Sequence, residues 1–261
     1  AALAATDWGL PSDPTTLPDM SVHGLNERAD LDRKFLETLP GIEMVDRVDA
    51  ITKDALEDRL TISQLLHEGK EDAAELNNLA SPLQGVTSAF SLMPTDTVDD
   101  WDAIIGRMHA VPRALTQYCE SLGYAAGAGV VAAQRQVQIG IKQARTIGTP
   151  GSSGAFFELL ARTCPPEVAA ALDTKKLEDA VRVASAGYLE LGDWLEKNLA
   201  PQAKDVDPVG RERYEVFSAL FVGARVDLDE TYEWGLAELQ RIVQGQQKIA
   251  TDLYGPGTSI A

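Results

Sequence analysis

The chain has 261 residues, 44% of them hydrophobic, and its 40 acids against 23 bases leave a formal charge of −17. That length and apolar content suffice for one large domain or two small ones with a real core. The negative field opposes nucleic acid and anionic membrane as partners of the surface as a whole.

Two cysteines, Cys119 and Cys164, form neither a disulfide framework nor a zinc ribbon. The most apolar stretches, "GYAAGAGVVAA" and "VFSALFVGARV", stop well short of the ~18 residues that span a bilayer, and Arg225 interrupts the second. No secretory signal is visible, so a cytoplasmic location and no membrane partner are expected.

In chain order, almost every segment repeats its apolar residues at a period near ~3.6. Ser21 is placed to cap a helix carrying Val22, Leu25, Ala29, Leu36 and Leu39, which Pro40-Gly41 stops. A second helix holds Ala55, Leu56, Leu60, Leu65 and Leu66 and ends near Gly69. Thr97 and Asp100 have the spacing of a capping box, with Asp in the usual Glu place. They open a helix through Trp101, Ile104, Ile105 and Met108. Pro112 suits the first turn of a following helix with Leu115, Tyr118 and Leu122. Further helices are expected over 130–147, 166–199 and 209–221, with "GTPGSSG" and "DVDPVG" as breaks.

The last helix opens in "ARVDLDETYEWGLAELQRI". Asp227 fits the N-cap and Glu230 the N3 position, and Asp229 and Glu230 stand where the helix dipole favours acids. Tyr232 and Trp234 read mainly as packing residues, the alternative being that Tyr232 or Trp234 lines a ligand groove. No strand alternation is evident. The expected class is all-α, a multi-helix bundle of long antiparallel helices. A composition break at Thr149–Gly154 divides it into helical subdomains over 1–148 and 155–261, which together form one continuous domain.

Residues that could carry chemistry are sparse. The three histidines, His23, His67 and His109, are far apart, and "LLHEGKE" has Glu71 where a zincin helix needs its second imidazole. His67-Glu68 therefore reads as a solvated helix end. "GSSGAF" lacks the order of a nucleophile elbow and reads as a loop with a serine cap. No phosphate-binding or dinucleotide loop is present, and acids such as those of "TDTVDDWD" are expected in a first helical turn. No catalytic residue and no metal ligand is assigned. One pattern stands out: Arg135, Gln138, Lys142 and Arg145 form a stripe along one helix, beside an apolar face of Val130, Val137, Ile141 and Ala144. Such a stripe either pairs with acids of neighbouring helices or forms a wall for a carboxylate, which arginine grips with two hydrogen bonds.

Four segments occur in a recognisable order: "ATDWGLPSDPTTLPDMSVHGLNERAD", "NNLASPLQGVTSAFSLMPTDTVDDWDAIIGRMHAVPRAL", "AAQRQV" and "DPVGRERYEVFSALFVGARVDLDETYEWGLAELQRI". Over nearly the whole chain they resemble the bacterial domain-of-unknown-function family 885. The resemblance implies a helical, two-lobed protein roughly twice this length, related to gluzincin-type zinc metallopeptidases. Its later half would carry a His-Glu-Gly-x-Pro-Gly-His-His segment and a Glu-Gly-Trp-Ala segment that supply metal ligands and the general base.

Neither segment occurs here. The chain is then expected to be the N-terminal half, truncated at both ends, with no cofactor of its own and zinc confined to the longer protein. It would be one wall of a cleft for a peptide or small-molecule substrate, with the C-terminal half of the same protein as partner. Arg135 and Gln136 in "AAQRQV" and Gly210, Arg211 and Tyr214 in "VGRERY" match family motif positions. With Arg145 and Tyr232, the residues Arg135, Gln136, Arg211 and Tyr214 are the candidate groove residues. The competing expectation is an independent helical binding or assembly module that uses the cationic stripe for an acidic ligand or partner. The first reading predicts a large exposed apolar surface, and the second a closed pocket around Arg135 or Arg145.

Overall fold

The computed structural model describes residues 13–260, so the opening of the first family motif, 5–12, lies outside the described residues. Among the described residues the regular structure is entirely helical. Two compact units divide the chain between Pro208 and Val209. The Thr149–Gly154 break falls inside the first unit, joining two of its helices.

In the first unit, α1 (Val22–Thr38) starts on Ser21, whose Oγ accepts from Gly24 N at 3.2 Å, and ends in a 3₁₀ turn, Leu39–Gly41, at Pro40-Gly41. Helix α2 (Arg47–Glu68) starts on Asp46, which accepts from Val48 N and Asp49 N. Its end differs from the expected glycine stop. Gly69 keeps φ −73°, and Lys70 takes the left-handed position at φ +60°. A side chain there costs energy that glycine avoids. Lys70 Nζ lies 5.6 Å from the centroid of the Tyr124 ring, a favourable cation–π arrangement that offsets part of the strain.

The sequence pattern missed α3 (Pro82–Ser91). It begins with Pro82 at its first position and a capping box in which Ser81 and Gln84 satisfy one another's end of the helix. Helix α4 runs unbroken over 30 residues, Val98–Gly127, from the Thr97–Asp100 capping box. The expected helix boundary at Pro112 is therefore a correction: the proline lies inside the helix. A proline there costs about 3 kcal/mol. The buried side chains on both sides, Met108 and Val111 before it and Leu115 after it, hold the helix together.

Helix α5 (Gln134–Gly148) begins later than its apolar pattern suggests, because residues 130–133 are not helical. Two short helices follow, α6 (Phe156–Ala161) and α7 (Pro166–Ala169). The serine cap expected before α6 is not made. Ser152 Oγ donates to Thr146 O at 2.5 Å, and Ala155 occupies the cap position. The long 166–199 stretch resolves into α7, α8 (Thr174–Trp194) and a π turn, Leu195–Leu199, with Asp173 capping α8.

Helix α8 is the hub, packing against both α4 and α5. The core between them contains Trp101, Ile104, Met108 and Leu122 of α4, Val137 and Ile141 of α5, and Ala180, Ala184, Tyr188 and Leu191 of α8. Small residues bring the helices close. A Cβ on Gly148 would lie 2.5 Å from Ser185 O, and one on Gly187 would lie 3.1 Å from Pro112 Cα. Tyr188 keeps its hydroxyl satisfied inside this core by donating to Leu83 O at 2.7 Å.

The second unit contains α9 (Arg211–Val222) and α10 (Leu228–Tyr254). Gly223 ends α9 at φ +70°, the conformation for which glycine is the natural C-terminal residue. Asp227 caps α10 as expected, accepting from Asp229 N at 2.9 Å and Glu230 N at 3.0 Å. The 27 residues of α10 include none that is buried.

Candidate functional site

The stripe on α5 is built as its periodicity implies, with Val137, Ile141 and Ala144 buried and the polar side outward. Its arginines are taken up by acids. Arg145 Nη2 lies 2.6 Å from Glu196 Oε2 and 3.2 Å from Asp193 Oδ1, and Nη1 lies 3.2 Å from Glu196 Oε1. These bonds push the Arg145 guanidinium above its ordinary pKa and pull both carboxyls below theirs. Arg135 Nη2 lies 3.1 Å from Asp207 Oδ2. Gln136 accepts from Asn78 N at 3.0 Å, tying α5 to the connection before α3. An open depression of about 530 Å³ lies beside Arg145, lined also by Gln138, Lys142, Thr149 and Ser152. The structure thus places Arg145, Gln138 and Lys142 around one shallow hollow, with Arg135 and Gln136 engaged elsewhere.

In the second unit, Arg211 makes a bidentate pair with Asp229, 3.0 Å on each branch, and a further bond to Glu215 at 3.2 Å. The Asp229 carboxyl is held below its usual range by that guanidinium. Asp229 thus joins the starts of α9 and α10, a role that its first-turn position alone does not disclose. Tyr214 and Tyr232 are 56% and 66% exposed. Trp234 is also 66% exposed, so the expectation that Tyr232 and Trp234 are packing residues is corrected: neither is buried among the described residues.

A cavity that the sequence reading missed lies in the first unit, between α1, the end of α2 and α4. It has a volume of about 500 Å³ and an apolar floor that includes Met20, Leu25 and Pro82. Its polar rim includes Arg28, Asp32, Ser63, His67, Asp72 and Glu75. His67 is not a solvated helix end. Its side chain is 23% exposed, and its Nδ1 lies 2.8 Å from Asp72 Oδ2. The reversal at Gly69-Lys70 folds Asp72 back onto the helix end, where one Asp72 oxygen meets the imidazole and the other accepts from Ala73 N at 2.8 Å. Ser63, one turn before His67 on α2, donates to Asp32 Oδ2 of α1 at 2.7 Å.

Glu75 is exposed to solvent yet sits in a concavity. The surrounding protein strips hydration from its carboxylate and, with Asp72 nearby, pushes its pKa up. The signal that could have found this group was the spacing of Ser63 and His67 on one face of α2.

Among the described residues no group of three or more His, Cys, Asp or Glu side chains is arranged to hold a metal ion. His23 pairs with Glu27 on the same helix at 3.4 Å, and His109 is exposed on α4. No helix among the described residues is long and apolar enough to cross a membrane.

Comparison with known proteins adds the family and the fold. No curated protein matches the chain. A crystal structure described as that of "the putative lipoprotein from Colwellia psychrerythraea" is similar, with a TM-score of 0.72 at 16% identity. The match covers 98% of this chain and 49% of that one, so the chain spans about half the length of the structure it resembles. The profile of a family described as "Bacterial protein of unknown function (DUF885)" matches residues 3–261. The chain belongs to the DUF885 family of bacterial proteins.

Proposed function

We propose that this chain is the non-catalytic helical half of a zinc-dependent peptidase or related hydrolase, where it forms one wall of a substrate cleft and packs against the remaining half of the same protein. The observation that carries this reading is the uncovered side of α10. Tyr232, Leu239, Ile242, Ile249 and Leu253 follow one another at helical spacing, and each is more than 40% exposed. An amphipathic helix of 27 residues owes its stability mainly to burial of its apolar side. A side left open in this way is a surface for another protein segment. The half-length match to a larger helical structure supports the same reading, and so does the likeness of the motifs to gluzincin-type relatives, whose metal ligands fall in sequence not found here.

The test compares this chain with a longer one that continues through the rest of the family's length, measuring bound zinc by elemental analysis and hydrolysis of a peptide library. The longer chain is expected to bind zinc stoichiometrically and to cleave peptides, and this chain to do neither. Stoichiometric metal with hydrolysis by this chain alone, or no metal in the longer one, would overturn the proposal.

A further inference from the structure

The cavity between α1, α2 and α4 adjoins a second one of about 490 Å³, and the two share Met20, Arg28, Glu75 and Pro82. Arg28 and Glu75 therefore stand on a wall common to both hollows. They carry opposite charges, and among the described residues neither has an ionic partner. Arg28 donates through Nη1 to a neutral carbonyl, Asp19 O, at 2.9 Å. Glu75 contributes its main-chain carbonyl, which accepts from the Tyr118 hydroxyl at 2.6 Å, while its carboxylate takes no hydrogen bond from the described residues.

Several arginines elsewhere are taken up by acids. In a chain of 40 acids and 23 bases, Arg145, Arg211 and Arg241 are each captured by a carboxylate. The other acids on the rim of the first cavity are engaged too, Asp72 by His67 and Asp32 by Ser63. In the two hollows the Glu75 carboxylate takes no hydrogen bond from the described residues and Arg28 reaches only a main-chain carbonyl, while Asp19 and Asp32 accept from Ser21 and Ser63.

We propose that Arg28 and Glu75 bind a zwitterion with an apolar body, a short peptide with free ends. Its carboxylate meets the Arg28 guanidinium, its ammonium meets the Glu75 carboxylate, and its side chains lie on Met20, Leu25 and Pro82. Each hollow has the size of an ordinary small-molecule site, and arginine is the side chain best shaped for a carboxylate. An ammonium beside Glu75 would replace the hydration that the concavity removes. The inference is independent of the hydrolase reading, because it concerns equilibrium binding by this chain without metal.

Calorimetric titration with the dipeptide leucyl-leucine tests it. The unmodified dipeptide should bind. Acetylating its amine or amidating its carboxyl should each weaken binding at least about tenfold, the usual cost of losing a charged hydrogen bond. In Glu75→Gln the acetyl group should cost nothing further, and in Arg28→Gln the amide should cost nothing further. Capped peptides that bind the unaltered chain as well as the free dipeptide does, or no binding of leucyl-leucine at millimolar concentration, would overturn the proposal. The capped ligands decide the matter on the unaltered chain even where a variant fails to fold.

Discussion

Arg145 grips Glu196 with both terminal nitrogens and reaches Asp193 with one of them, so a single guanidinium on α5 ties down two acids at the end of α8 and the turn beyond it. The cationic stripe is thereby largely spent on internal ion pairs, and among the described residues Lys142 stands beside Arg145 without an acid of its own.

Arg145→Gln should lower the thermal midpoint modestly at neutral pH and low salt, because an exposed pair contributes little. The difference from the unaltered chain should shrink in ~1 M salt, where the screening length falls to a few ångströms. Glu196 and Asp193 have carboxyls pulled below their ordinary range. Their contribution is therefore fully present above the unfolded carboxylate pKa and is lost as pH falls through the lower folded values. Melting curves followed by circular dichroism from pH 7 down to pH 3 check this. A variant midpoint that tracks the parent's at every pH would count against the pair having any energetic role.

Two glycines should respond in opposite directions to alanine. At Gly148 the new Cβ would sit 2.5 Å from Ser185 O and 2.9 Å from Leu189 N, both backbone atoms that cannot rotate away. Gly148→Ala should destabilise by about 1–3 kcal/mol as α5 and α8 are pushed apart. Gly245, inside α10, has nothing within 4 Å. Gly245→Ala should stabilise that helix by about 0.5–1 kcal/mol. Urea denaturation of both variants measures the contrast.

The two thiols should differ in reactivity. Burial pushes the Cys119 thiol up to about 12, which leaves little thiolate at pH 8. Cys164 is only half-buried, and its pKa is raised less. Iodoacetamide followed by peptide mass spectrometry should find Cys164 alkylated well before Cys119 in the native protein, with the two equalised in urea. Equal rates in the native state would show that the α4–α8 contact over Cys119 opens readily.

The open side of α10 gives a test of the proposed assembly. Changing Leu239 and Leu253, 57% and 68% exposed, to lysine should leave the stability of this chain within about 0.5 kcal/mol, the usual range for surface changes, and should raise its solubility. The same pair placed in the longer protein should lower its midpoint by several degrees, because there each lysine would lie in an interface. Midpoints that fall equally in both chains would mean that α10 is already packed as it stands.

Much of the helical framework was legible in the sequence, for reasons that are local. Ser21, Thr97 and Asp227 are caps because a short polar side chain next to an apolar run satisfies the free amides of the first turn, and all three do so here. The inward side of α5 followed from spacing alone. Where the reading failed, a distant partner decided. Pro112 lies inside α4 because core residues on either side outweigh its cost. Tyr232 and Trp234 were assigned to packing, but a periodic pattern says which side of a helix is apolar and not whether anything covers it.

The candidate site shows the same division. Arg135 and Arg145 could be picked out in advance because four polar residues recurred along one helix. Arg28 and Glu75 could not, since they lie on different elements and come to one cavity only through the turn at Lys70 and the packing of α1 on α2 and α4. The sequence by itself determined most of the helices, the caps at Ser21, Thr97 and Asp227 and the apolar side of α5, because each depends on residues within a turn or two along the chain. The tertiary structure alone decided which charges are cancelled and which still face a cavity, because that depends on distances between residues far apart in sequence.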